Sequence, residues 1–114
     1  MKLIREGNAR IKVPAEKKIS KELSVFYNPV MKFNRDVSVL LLNSISKKNL
    51  QIALPLAGSG VRAVRFLTEL KKGKIKNINI NDGGEKAVEL IMENIELNED
   101  NLICDELENN LLSQ

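Results

Sequence analysis

The sequence has no histidine, no tryptophan and a single cysteine, Cys104. One cysteine cannot close an intramolecular disulfide, which fits the reducing interior of a cell. Without histidine, and with only one cysteine, a structural Cys/His zinc site is excluded. Ser-His and Cys-His catalytic pairs are excluded with it. Apolar runs stay far below the ~20 residues a membrane-spanning helix needs. The start, MKLIREGNARIKV, breaks its apolar positions with charges and has no signal-peptide core. A cytoplasmic protein with no membrane partner and no metal is therefore expected.

What is present describes one small folded unit. The 114 residues suffice for a single core. Lys+Arg 18 against Asp+Glu 15 leaves +3, which permits a polyanionic partner without requiring one. LIREGNARIKVP suits a short hairpin turning at Gly7-Asn8. Asn34 reads as a helix N-cap with Asp36 in the first turn, followed by Val37, Leu40, Leu41 and Ile45 on one face. LQIAL (50–54) reads as a strand buried on both faces. A helix over about 60–72, with Val61, Val64, Leu67 and Thr68 as its buried stripe, stops at Gly73. KIKNINI (74–80) alternates as a second strand, and 85–98 forms a helix with Ala87, Val88, Ile91, Met92 and Ile95 on one face. NLICDEL is a candidate third strand.

Strands alternating with amphipathic helices predict an α/β fold: a parallel sheet with right-handed crossovers and flanking helices, preceded by an irregular N-terminal arm. The expected division is an arm over 1–33 and, over 34–114, the first half of a Rossmann-like domain. Two or three parallel strands leave edges uncovered, so the chain reads as a truncated, split or fragmentary product.

The chemistry concentrates at Gly58-Ser59-Gly60-Val61-Arg62-Ala63, a G-x-G-x-x-G/A run between a strand and a helix. Glycines let the backbone turn tightly and approach a ligand, and the helix N-terminus presents free N–H groups there. Alone, the pattern fits a structural turn equally well. Asp82 ends the next strand, near the ~20-residue offset where such folds place a ribose-binding carboxylate. It also suits an N-cap for the following helix. Spacing does not separate a nicotinamide dinucleotide from S-adenosylmethionine. Arg62 and Arg65 oppose the helix dipole at its N-terminus, which a carboxylate or phosphate ligand would offset. Pairing of Arg65 with Glu69, one turn on, is the structural alternative. FYNPVMKFNRD gathers the only tyrosine and two of the three phenylalanines. Its aromatics suit base stacking or, as core anchors, the arm itself.

Taken together, FYNPVMKFNRD, PLAGSGVRAVRF and NDGGEKAVELIMENIELN resemble, in order and spacing, the N-terminal part of the tRNA (guanine(26)-N2)-dimethyltransferases, class I S-adenosylmethionine-dependent enzymes. The resemblance spans about residues 5–112. It implies an incomplete Rossmann-like methyltransferase fold, S-adenosyl-L-methionine as cofactor and tRNA as partner, with the exocyclic amine of a guanine as methyl acceptor. By position it implies cofactor contacts from Arg35, Gly58, Gly60, Arg62 or Arg65, Asp82, Glu108 and Asn109, and a guanine-stacking role for Phe26. Leu54 stands where the family pattern has Asp, Gly83 follows Asp82 where an apolar residue is common, and Glu108-Asn109 replace Asp-Ala. No Asp-Pro-Phe-Gly-type motif, the family's grip on the amine, is present. The expectation is the cofactor-binding portion of such an enzyme, weakly active or inactive alone, as a fragment of a longer enzyme or as one piece of a split one whose second polypeptide supplies the rest and a C-terminal tRNA-binding domain. The alternatives are a non-catalytic homologue acting as an interaction module and a dinucleotide-binding half-domain of an oxidoreductase.

Overall fold

Gly7 reverses the chain with φ +56°, between β1 (Lys2–Glu6) and β2 (Ala9–Val13), which pair antiparallel as the sequence predicts. Glycine as the first central residue of a two-residue turn matches the right-handed twist of the strands it joins. The computed structural model describes residues 1–15 and 27–102, and the backbone at 111–112.

Asn28, not Asn34, opens the first helical stretch. Its side-chain oxygen accepts from the Val30 N–H at 3.0 Å, and Pro29 occupies the first position, where a missing N–H costs nothing. A 3-10 turn, Pro29–Met31, runs directly into α1 (Lys32–Ser44). Asn34 and Asp36 therefore lie within α1. The apolar positions read as one face are turned outward: Leu40 is 70% and Leu41 58% exposed, with Val37 and Phe33 beside them. The inward side carries Arg35, Val39 and Leu42.

β3 (Leu50–Leu54) and β4 (Ile75–Ile80) pair in parallel, with Ile52 opposite Ile78 and Leu54 opposite Ile80. The backbone at β5 (Leu111–Leu112) joins the other edge of β4, giving the order β3-β4-β5. Of the expected NLICDEL strand, Asn101 ends a 3-10 turn, and residues 103–107 lie outside the described residues. α2 (Val61–Glu69) and α3 (Glu85–Leu97) supply the crossovers. Val64, Leu67, Ile91 and Ile95 from these helices share one core with Ile78 and Ile80 of the sheet and Ala9, Ile11 and Val13 of the hairpin.

The sheet is buried on one face only. Gln51, Ala53 and Asn79 are exposed on the other, so β3 is not the doubly buried strand its composition suggests. α2 has the expected buried stripe but ends at Glu69. Leu70 turns extended into the core, and the Asn43 side chain donates to the Glu69 carbonyl at 3.0 Å while accepting from the Lys71 N–H at 2.8 Å. Gly73, at φ +85°, serves the next turn. On α3 the buried arc is Ala87, Leu90, Ile91, Asn94 and Ile95, with Met92 turned outward.

The elements lock around Glu6, which is 2% exposed. Its carboxylate accepts from Arg35 Nε at 2.8 Å and Nη2 at 2.7 Å, from the Tyr27 hydroxyl at 3.0 Å and from Arg65 Nη1 at 3.2 Å. Arg35 also sits over the Tyr27 ring, 5.1 Å from its centroid. Burial, the largest influence, works to raise the Glu6 pKa, but the Arg35 hydrogen bonds and charge, Tyr27 and Arg65 outweigh it and leave it below the usual 4.5. A carboxyl depressed in the folded state lends stability above its unfolded pKa, lost as pH falls through the folded value. Thermal melting is thus expected to hold from neutral pH to about 5 and fall below it. Glu6→Gln should cost roughly 3–5 kcal/mol at neutral pH, because it leaves buried Arg35 uncompensated, and should flatten the acid fall. Melts of both proteins from pH 7 to 3 check this; an acid limb unchanged in the variant would refute the assignment.

Candidate cofactor site

The site lies at the carboxyl ends of β3 and β4, where open α/β sheets bind ligands. The parallel ladder runs past the strands, with Asn81 N–H donating to the Leu54 carbonyl and Ala57 N–H to the Asn81 carbonyl. The chain then turns through Gly58 at φ +58° and Gly60 at φ +81°, and α2 begins at Val61. Left-handed φ favours glycine at both positions. Gly60 has a second constraint: a Cβ there would sit 3.2 Å from Ile91 Cγ1 and 3.4 Å from the α3 backbone. Ser59 between them is buried, and its hydroxyl has no partner among the described residues.

Asp82 ties the loop to the next turn. Its Oδ2 accepts from the Gly58 N–H at 2.9 Å and its Oδ1 from the Gly84 N–H at 3.0 Å, beside the start of α3. The carboxylate therefore closes an Asx turn ahead of α3 rather than capping it, since the N-cap position is Gly84 and no side chain caps the helix. Each oxygen still has capacity for a further donor, since an ionised carboxylate offers about four acceptor sites. Asp82 borders one cavity with Gly83, Gly84 and Glu89. Gly58 borders a second, of about 260 Å³, with Tyr27, Met31, Leu54 and Arg62. Leu54 makes part of that wall apolar.

The three sequence-predicted arginines separate by partner. Arg35 is committed to Glu6 and the Asn28 carbonyl. Arg65, 4% exposed, bonds Glu69 through Nε at 2.7 Å and Nη2 at 2.9 Å, reaches Glu6, and pairs with Asp36 through Nη1. Its pKa is raised, first by the Glu69 hydrogen bonds. Arg65 is thus engaged as the structural alternative has it, and two further carboxylates hold it. Arg62 differs. Its Nη1 donates to the Ser38 hydroxyl and its Nη2 to the Asn34 side-chain oxygen, each at 2.7 Å. Among the described residues no carboxylate pairs with it. Burial, then the neighbouring Arg35 charge, lower its pKa. It is a half-buried cation on the cavity wall, oriented by two neutral groups of α1.

Phe26, Glu108 and Asn109 lie outside the described residues. Among the described residues no group of acidic, His or Cys side chains is arranged to hold a metal, and no helix is long and apolar enough to cross a membrane. Glu6, Ser38 and Asn94 escaped the sequence reading, and Asn34, read there as an N-cap, instead holds Arg62. The signal for two of them is legible afterwards: Asn34 and Ser38 are four apart, one turn on the same helix face.

A glycine loop and strand-end carboxylate on a parallel sheet, with helices α2 and α3 on the buried face, define a partial Rossmann-like nucleoside-cofactor fold. Residues 7–112 match the family model for N2,N2-dimethylguanosine tRNA methyltransferase. The chain is 43% identical over 104 residues to the tRNA (guanine(26)-N(2))-dimethyltransferase of Methanococcus maripaludis strain C7, covering 87% of this chain and 28% of that protein. It is 42% identical over 102 residues to the tRNA (guanine(26)-N(2)/guanine(27)-N(2))-dimethyltransferase of Aquifex aeolicus, covering 86% and 26%. Trm1 from Pyrococcus horikoshii, solved with S-adenosyl-L-methionine, superposes with a TM-score of 0.71 at 35% identity over 86% of this chain and 24% of that one. Trm5b from Pyrococcus abyssi shares the fold, with a TM-score of 0.67 at 18% identity over 97% of this chain and 26% of that one. The chain belongs to the N2,N2-dimethylguanosine tRNA methyltransferase family and spans about a quarter of the length of these relatives.

Gly60→Ala should lower the unfolding free energy by roughly 1–2 kcal/mol from the left-handed backbone alone, and further through the Ile91 contact. Urea denaturation measures it; a neutral change would refute the close packing of the loop on α3.

Proposed function

We propose that this chain forms the S-adenosylmethionine-binding portion of a tRNA guanine-N2 methyltransferase, with the exocyclic amine of guanine 26 as methyl acceptor. Arg62 carries the reading: a cation fixed by Asn34 and Ser38, lacking a carboxylate among the described residues, and facing the cavity that the glycine loop borders. The cofactor's amino-acid carboxylate is the anion that suits it. Gly58 and Gly60 let the backbone approach the ligand. Asp82, with acceptor capacity beyond its two backbone bonds, suits the ribose hydroxyls. The bound cofactor would supply an electrophilic methyl group.

The protein's own task in such a site is to hold the cofactor in one orientation. Arg62 lines the cavity that Gly58 borders, and Asp82 lines the second cavity and accepts from the Gly58 N–H, so in this reading one extended ligand lies along the glycine loop and meets both. In this reading tRNA is the macromolecular partner. None of the residues assigned here is given the task of aligning the amine. Glu108, Asn109 and Phe26 are proposed for the adenine and the target base.

Calorimetric titration with S-adenosylmethionine and, separately, NAD tests the reading. Binding is expected with the first alone; heat with NAD alone would overturn it. Asp82→Ala should weaken S-adenosylmethionine binding by roughly 1–3 kcal/mol, the loss typical of a hydrogen-bonding charged group. Arg62→Ala should weaken it while leaving the melting temperature nearly unchanged, since its partners are polar groups at the surface of α1. Unchanged affinity in both variants would sink the assignment of these residues.

A further inference from the structure

Asn94 lies on the buried face of α3 and is fully enclosed, yet it makes no contact with another side chain's polar group. Its Oδ1 accepts from the Lys12 N–H at 2.8 Å, and its Nδ2 donates to the Lys12 carbonyl at 3.1 Å. Asn98 repeats this one turn later, accepting from the Arg10 N–H at 2.9 Å and donating to the Arg10 carbonyl at 2.8 Å. The match has a geometric basis. Four residues of helix rise about 6 Å, close to the about 6.7 Å between alternate residues of a strand. The two amides therefore pair with the outer edge of β2 as a neighbouring strand would. Each amide makes one further bond: Asn98 Nδ2 donates to the Asn94 carbonyl at 2.6 Å, whereas Asn94 Nδ2 donates to the Ser59 carbonyl at 2.8 Å and so reaches the glycine loop.

We propose that Asn94 is a positioning residue for the cofactor loop, coupling the docked N-terminal hairpin to the backbone of Gly58–Gly60. This rests on the cofactor-binding reading above. One amide group joins β2 to the middle of the loop, and the same face of α3 presses Ile91 against Gly60. Asp82 holds the loop at Gly58, and Asn94 holds it at Ser59. With the turn held at its first residue and its middle, the N-terminus of α2 and Arg62 on it have a defined place relative to the cavity.

Asn98 is the matched control, because it clamps the hairpin without touching the loop. Asn94→Ala and Asn98→Ala should lower the melting temperature to similar extents. Without cofactor, amide exchange at Gly58 and Gly60 should accelerate by about tenfold or more in Asn94→Ala alone, as for a lost buried hydrogen bond. S-adenosylmethionine affinity should fall by a similar factor in that variant alone. Should Asn94→Ala fail to fold, Asn94→Asp carries the same test. It keeps the acceptor for Lys12 and replaces the donor to Ser59 with a carboxylate, whose pKa burial raises. Its affinity and loop protection should be poor at pH 8 and recover towards pH 5.5, where protonation restores a donor, while the native protein stays unchanged. Equal loop exchange in the two alanine variants, or no recovery on protonation, would overturn the proposal. If the native chain binds no S-adenosylmethionine, the functional reading fails, and loop exchange still decides the role of Asn94.

Discussion

The Glu6 carboxylate is the constraint on which the arrangement depends. A buried charge is tolerated only when its partners are close and its lone pairs are filled. Here two arginines from different helices and a tyrosine hydroxyl converge on the end of β1. To reach it, α1 must turn Arg35 inward and α2 must turn Arg65 inward. That choice places Asp36 beside Arg65 and Asn34 and Ser38 beside Arg62. It also leaves Phe33, Leu40 and Leu41 on the outside. The packing side of α1 thus mixes Arg35 with Val39 and Leu42, and part of its apolar surface faces outward, unlike an ordinary amphipathic helix.

The same convergence explains the two arginines near the start of α2. Cations there oppose the helix dipole. Arg65 is compensated internally, since Glu6, Asp36 and Glu69 surround it. Arg62 receives only neutral hydrogen-bond acceptors. Two residues that look alike in sequence thus divide into a cation held by three carboxylates and one that, among the described residues, is held by neutral groups. The division comes from which face of a single helical turn meets the hairpin.

The fold was legible where a local pattern and its packing agree. The Gly7-Asn8 hairpin, β3, β4, α2, α3 and the parallel order follow from turn chemistry and periodicity. Reading failed where a side chain's partner is far away in sequence. The start of α1 was misplaced because Asn28-Pro29 and Asn34 are both plausible caps. The exposed stripe on α1 was unreadable because its orientation is set by Glu6, a residue of another element. The early end of α2 depends on Asn43. In the site, the glycine loop and Asp82 were visible from spacing and juxtaposed as read. The different fates of Arg62 and Arg65, and the part played by Asn94, required knowing what lies opposite them.

The geometry of the cofactor loop is set entirely from one side of the sheet. Asp82 holds Gly58, Asn94 holds Ser59, Ile91 abuts Gly60, and the hairpin backs Asn94. None of these contacts involves the open face that carries Gln51, Ala53 and Asn79. Binding a cofactor and aligning an acceptor are separable tasks: the first needs complementary groups around the ligand, and the second needs the nucleophile held in line with the transferable group. The residues described here bear on the first: they shape the loop and leave Arg62 and Asp82 on the cavities beside it. A loop preformed by the hairpin and two helices can hold its shape whatever covers the other face.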